Sequence, residues 1–227
     1  MLNVVYEDNQ IIVVIKPQNV PTQADSSNDA DMLTMVKAYI KEKYNKPGNV
    51  FVGLVHRLDR PTGGVMIFAK TSKAASRLSE SIKSGELKKN YLTIVEGGLK
   101  DKKQKLINYL KKNEKTNVVK VVGQAVSDAK YAELEYVVLD EKNNTSLLNI
   151  NLITGRSHQI RAQLSNLGNP IYNDFKYGSK TKGNLMLWAY CLTFIHPTTK
   201  QKMTFKVLPD LKGAWKNYSN VIETLAN

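Results

Sequence analysis

At 227 residues the chain is long enough for one domain, or one with a small appendage, and for a real hydrophobic core. Hydrophobic residues at 42% and charged residues at 23% describe an ordinary globular protein and exclude a disordered one. Lysine and arginine number 33 against 20 acids, a formal charge of +13, which points to a polyanionic partner, although a merely lysine-rich protein fits the same numbers. No stretch approaches the ~18 apolar residues of a membrane span. The start, Met1 to Asp8, lacks the basic and apolar regions of a signal peptide, so the cytoplasm is the expected compartment. Cys191 is the single cysteine; it lies in an apolar run and reads as a small buried hydrophobe. His56, His158 and His196 are scattered without metal-ligand spacing, and no metal site is expected.

In chain order, Val4–Tyr6 and Ile11–Ile15 flank turn-prone Glu7 to Gln10 and predict a hairpin, ended by Lys16-Pro17. Residues 18–28 are polar loop. Leu33, Val36, Ile40 and Tyr44 recur at helical spacing, predicting a helix from Met32 to Tyr44. Val50–Leu58 reads as a strand running into the turn Asp59 to Gly64, and Val65–Ala69 as a short strand. A helix follows over Ser72–Ser84, capped by Thr71 or Ser72. Lys89–Glu96 is a further strand. Lys100 to Lys120 holds eight lysines against Asp101 and Glu114, either an RNA-facing patch or a solvated loop. Ala129–Leu139 pairs with Ser146–Ile153, a helix begins near Ser157, Met186–Ile195 and Gln201–Val207 are strands, and Ala214–Leu225 is a closing helix. Strands dominate and long βαβ alternation is absent. The expected fold is α+β, a mixed and largely antiparallel sheet with flanking helices, in a single domain over residues 1–227.

Two segments carry chemistry. The first is His56-Arg57-Leu58-Asp59-Arg60-Pro61-Thr62-Gly63-Gly64. A carboxylate at a strand end, flanked by Arg57 and Arg60, is both positioned and reachable, and neighbouring cations favour its ionised form. An aspartate that merely caps its own turn is the competing reading. The second is Thr154-Gly155-Arg156-Ser157-His158-Gln159-Ile160-Arg161. Here Gly155 can take a positive φ and Ser157 can cap the following helix. Arg156, His158 and Arg161 then crowd a first turn where the helix dipole disfavours cations. A nearby anion should compensate, either an RNA phosphate, Asp59, or both.

Taken with Ala69-Lys70-Thr71 and Leu167-Gly168-Asn169-Pro170-Ile171, these segments closely resemble the RluA-type pseudouridine synthases. The likeness continues through Tyr6-Glu7-Asp8, Lys16-Pro17, Lys89-Asn90-Tyr91-Leu92 and Phe194-Ile195-His196-Pro197, nearly the whole chain in the family's order. The resemblance implies the pseudouridine synthase catalytic fold and isomerisation of specific uridines in structured RNA (rRNA or tRNA), without cofactor or metal. By motif it makes Asp59 the catalytic aspartate, Tyr91 the tyrosine that packs on the target base, and Arg161 the arginine that pairs with the aspartate. Arg57 and Ile160 would shape the pocket, and Arg60, Arg156 and His158 join them as substrate-binding or RNA-binding residues. The chemistry fits those roles. A carboxylate can attack C1′ or remove a proton from C2′ to give a glycal, and an aromatic face holds a flipped uridine.

Three departures from the family pattern stand out. Gly63 replaces the usual Ser, and Gly168-Asn169-Pro170-Ile171-Tyr172-Asn173-Asp174 replaces Gly-His-Pro-x-x-Gly-Asp. An S4-like RNA-binding domain, common ahead of the catalytic one, is expected to be absent. The protein is expected to act as a monomer, away from membranes. A catalytically silent RNA-binding or assembly factor is the main alternative. A glycosidic-bond hydrolase, which needs an acid pair, is a more distant one.

Overall fold

The computed structural model describes residues 2–27 and 29–226; Asn28, in the expected 18–28 loop, lies outside them. The first strands, β1 (Asn3–Glu7) and β2 (Ile11–Lys16), form the expected hairpin. Its turn is closed by Asp8, whose Oδ1 accepts from the Gln10 and Ile11 N–H groups at 2.7 and 2.8 Å. Helix α1 (Met32–Lys43) starts on Asp31, which accepts from the Thr34 N–H, and its helical spacing buries Met32, Val36 and Ile40. Next come β3 (Gly53–Leu54), β4 (Gly63–Ala69) and α2 (Ser72–Lys83), the last capped by Thr71. The chain continues through β5 (Lys88–Glu96), β6 (Lys103–Asn113), β7 (Val118–Val122), β8 (Lys130–Lys142) and β9 (Thr145–Leu152). It ends with α3 (Gln159–Asn166), β10 (Leu187–Ile195), β11 (Lys202–Lys206) and α4 (Ser219–Thr224). The fold is α+β with largely antiparallel strand pairing, as the strand-rich pattern predicts.

The chain divides into two compact units, Met1–Lys88 with Ala189–Val207, and Lys89–Trp188 with Leu208–Asn227. In the first, β2 lies between β1 and β4, β3 adds to β4, and β11 pairs with β10. Every residue of β4 is buried, the continuous apolar run of a strand covered on both faces. Ile11, Val13, Val65 and Ile67 pack with Ala74 and Leu78 of α2 and with Leu192 and Phe194 of β10. Each fully buried Val, Ile, Leu or Phe side chain among them contributes roughly 1.5–3 kcal/mol. Gly64 has φ +127, and a Cβ there would overlap the Ala189 carbonyl oxygen, so no other residue fits. Cys191 is half-buried rather than buried, because its position on β10 opposite Lys206 leaves one side open.

In the second unit the strand order is β5-β9-β8-β6-β7. Asn143 and Asn144 take φ 52 and 54 between β8 and β9, the two left-handed residues of a tight hairpin whose twist matches its strands. Leu110, Val119, Ala132, Ala162 and Tyr177 form a core cluster.

Three expectations give way. Val50–Leu58 is not a strand except at β3, for reasons that belong to the site. Lys100–Lys120 is not a solvated loop but falls largely in the hairpin β6–β7. Its alternation puts Leu106 and Leu110 inward and Lys103, Lys105, Ile107 and Lys111 outward. The closing helix is a 3-10 turn over Gly213–Tyr218 followed by α4.

Candidate active site

Asp59 sits in an irregular segment rather than at a strand end, and the site is built by side chains reaching to its main chain. Thr22 Oγ1 donates to the Leu58 carbonyl at 2.8 Å and accepts from the Leu58 N–H at 3.3 Å. One hydroxyl thus performs both jobs of a neighbouring strand, which is why an apolar strand-like sequence needs no ladder here. Beyond the aspartate, the Arg60 carbonyl accepts from the Asn19 N–H at 2.8 Å and from Lys16 Nζ at 3.0 Å. Gln18 Nε2 donates to the Pro61 carbonyl at 3.0 Å, and the Thr62 N–H closes the turn onto the Asp59 carbonyl at 2.9 Å. The main chain on both sides of Asp59 is therefore pinned.

Lys16 is fully buried and also donates to the Pro17 and Val20 carbonyls at 2.9 and 2.6 Å. Burial pushes its ammonium down to about 7; the Asp59 carboxylate opposes this and Arg60 adds to it. Arg57 is exposed. Arg60 bonds to the Asn19 carbonyl, Ser27, Asp25 and Asp29, so its charge is compensated by exposed ion pairs.

The second motif begins differently from expectation. Gly155 does not take a positive φ, and Ser157 does not cap the helix. His158 is the residue before α3 and holds the left-handed conformation itself, at φ 49. Its ring repays that strain of roughly 1–3 kcal/mol by a 2.7 Å hydrogen bond between Nδ1 and the Tyr177 hydroxyl, with the rings edge to face. The same hydroxyl accepts from the Val119 N–H at 2.9 Å. Arg156 is exposed and donates from Nε to the Tyr131 carbonyl at 2.8 Å.

Arg161 and Ile160 are buried in the first turn of α3. Arg161 donates from Nε and Nη2 to the two carboxylate oxygens of Asp174, both at 2.7 Å, and its guanidinium lies 4.7 Å from the centre of the Tyr177 ring. An anion is thus present beside the crowded cations in Asp174, a partner that the sequence pattern did not single out. Asp174 ends the Gly168–Asp174 motif and stands just before the 3-10 turn Phe175–Tyr177, which supplies Tyr177. The signal was available in that motif, whose final Asp is retained. Its departures are also accommodated. Asn173 takes φ 68, as the usual glycine would, and Asn169 Nδ2 donates to the Glu96 and Gly98 carbonyls.

Tyr91 is buried at the centre of β5, paired with Ile150 of β9. Asp59, Arg57 and Arg60 thus belong to the first compact unit, and Tyr91, Arg156, His158, Ile160 and Arg161 to the second.

A family model described as RNA pseudouridylate synthase matches residues 10–166, a span containing Asp59, Tyr91 and Arg161. The chain belongs to the RNA pseudouridylate synthase family. It is 30% identical over 97% of its length to ribosomal large subunit pseudouridine synthase C of Buchnera aphidicola subsp. Schizaphis graminum, covering 70% of that protein. It is 33% identical over 92% of its length to tRNA pseudouridine synthase C of Haemophilus ducreyi, covering 91% of it. The solved structure of human RNA pseudouridylate synthase domain containing 4 shares the fold, with TM-score 0.77 over 97% of this chain and 93% of that one at 19% identity. Family membership makes this an isomerase acting on RNA, and the comparisons lend no support to the non-catalytic alternative. No helix among the described residues is long and apolar enough to cross a membrane.

Proposed function

We propose that the protein converts specific uridines of ribosomal or transfer RNA to pseudouridine, acting as a cytoplasmic monomer and with Asp59 as its catalytic carboxylate. The observation that carries the reading is the family match together with a main chain pinned on both sides of Asp59, which fixes the position from which its carboxylate acts. Tyr91 is the aromatic face for the flipped base, and Arg161 the arginine that the family pairs with its aspartate. Arg57, Arg60, Arg156, His158 and Ile160 are assigned to binding. The direct test is incubation of in vitro transcribed transfer RNA and large-subunit ribosomal RNA with the purified protein, followed by mapping of pseudouridine. No conversion in either RNA would overturn it.

RNA binding should fall steeply with salt. For six neutralised phosphates, log K against log salt should slope at about −4 to −5. The lysines of β6–β7 divide into two sets for this experiment. Lys105 is engaged by Glu133 and Glu135, and Lys112 by Glu114. Lys111 and Lys120, by contrast, stand directly opposite each other on β6 and β7, a like-charge pair that an anion would relieve. Replacing Lys103, Lys111 and Lys120 by Gln should flatten the slope by about 2–3, while Lys105→Gln should barely change it. A slope untouched by the triple substitution would remove this hairpin from the RNA-binding surface.

Tyr91→Phe should keep base packing, whereas Tyr91→Ala should weaken capture of the flipped uridine by roughly 1–3 kcal/mol. Because Tyr91 is buried, melting of both variants must accompany single-turnover rates. Wild-type turnover by a folded Tyr91→Ala protein would leave the ring as ordinary core.

A further inference from the structure

Lys89 is a cation the preceding chemistry leaves unused. It lies on β5 two residues before Tyr91, and residues two apart on a strand share a face, about 6.6–6.8 Å apart along it. Its side chain is half-buried, and burial alone pushes its ammonium below the ordinary lysine range. It has no hydrogen-bond or ion-pair partner among the described residues. The head of the side chain ends under the exposed Gly155, where a Cβ would come within 3.3 Å of Nζ. The φ of Gly155 does not require glycine, and a side chain there would sit tightly against the ammonium. The residues around that spot supply no counter-ion. The next residue is Arg156, and the first turn of α3 holds no acid.

We propose that Lys89 binds a backbone phosphate of the RNA, next to the uridine that Tyr91 holds. A desolvated ammonium without an anion is unfavourable, and phosphate is the only group of RNA whose full negative charge offsets that cost. The position on the strand also suits it. One face presents an aromatic ring for a base and, two residues away, a cation for the phosphate of the same or the adjoining nucleotide. A free amine over a strand surface has no such use in packing, where methionine or leucine would serve better. The inference rests on the base-holding role proposed for Tyr91.

The test compares wild type, Lys89→Met and Lys89→Arg for filter binding to in vitro transcribed transfer RNA and large-subunit ribosomal RNA across a salt series. Thermal melts and steady-state pseudouridine formation accompany the binding series. Lys89→Met should weaken binding roughly tenfold and flatten the salt slope by about 0.7–0.9, one phosphate's worth. It should raise KM far more than it lowers kcat, because the phosphate contact is made before and throughout the reaction. Its melting temperature should stay level or rise, since an uncompensated charge has been removed. Lys89→Arg should restore the slope. An unchanged slope in Lys89→Met, or a lowered melting temperature, would make Lys89 a structural lysine and overturn the inference. Conversion of uridine by wild type in the same assay reports separately on the proposed function.

Discussion

Asp59→Asn should reduce pseudouridine formation at least ~10²–10⁴-fold, to the limit of detection, while RNA affinity and melting temperature stay near wild type. An amide keeps the shape of the carboxylate but serves neither as nucleophile nor as base, so either route open to Asp59 is closed. The unchanged fold follows from how the segment is held. Thr22, Asn19, Lys16 and Gln18 all grip main-chain atoms of Leu58, Arg60 and Pro61, and the turn itself uses the Asp59 carbonyl. An amide of the same shape leaves these main-chain bonds in place. The buried Lys16 adds a second expectation. The Asp59 charge favours its ammonium, so neutralising Asp59 should leave Lys16 easier to deprotonate without uncoupling it from its three carbonyl acceptors. Single-turnover conversion by purified Asp59→Asn at a tenth of the wild-type rate or more would sink the assignment.

Local pattern made much of this molecule legible, and it failed where tertiary contacts substitute for pattern. Alternating burial in β8 and β9, helical spacing in α1 and α2, and the turn chemistry of Asp8 are all written in short stretches, and the elements lie where those stretches predict. The 50–58 segment carries the apolar content of a strand, but its pairing partner is a threonine hydroxyl from residue 22, which no local rule can find. Within Lys100–Lys120 the lysines drew attention from a period of two, although Leu106 and Leu110 mark the inner face plainly. The fragments Tyr6-Glu7-Asp8, Ala69-Lys70-Thr71 and Phe194-Ile195-His196-Pro197 prove to be fastenings. Glu7 is gripped by Lys43, Lys70 and Tyr44, which hold it at about 2 against the opposing effect of burial. Asp8 meets His196 Nε2 at 2.9 Å, tying the β1–β2 turn to the end of β10. A family pattern read along the chain thus mixes residues of the site with residues that hold a unit together, and only coordinates separate them.

Breaking the Arg161–Asp174 pair should cost both stability and turnover, and the two losses can be separated. Both side chains are almost wholly buried, and the two 2.7 Å bonds form a planar fork on one carboxylate. Arg161→Met strands a buried carboxylate, and Asp174→Asn strands a buried guanidinium while turning an amide NH₂ toward one of its donors. Each should lower folding stability by about 3–5 kcal/mol, the range for removing one partner of a buried pair. Arg161→Lys keeps the charge but not the fork, and an ammonium cannot grip two oxygens and lie flat 4.7 Å from the Tyr177 ring centre as a guanidinium does. It should lose much of the activity with a smaller loss of stability. The decisive variant is Arg161→Met with Asp174→Leu. Replacing both charges by apolar groups of similar volume removes the stranded ion and should recover most of the stability lost by either single change. If Arg161 serves catalysis, that folded double variant should remain inactive in single-turnover assays. Recovery of activity along with stability would reduce the pair to scaffold and withdraw Arg161 from the site. A double variant as unstable as the singles would instead show that the fork is bound into a wider network than these two residues and the Tyr177 ring.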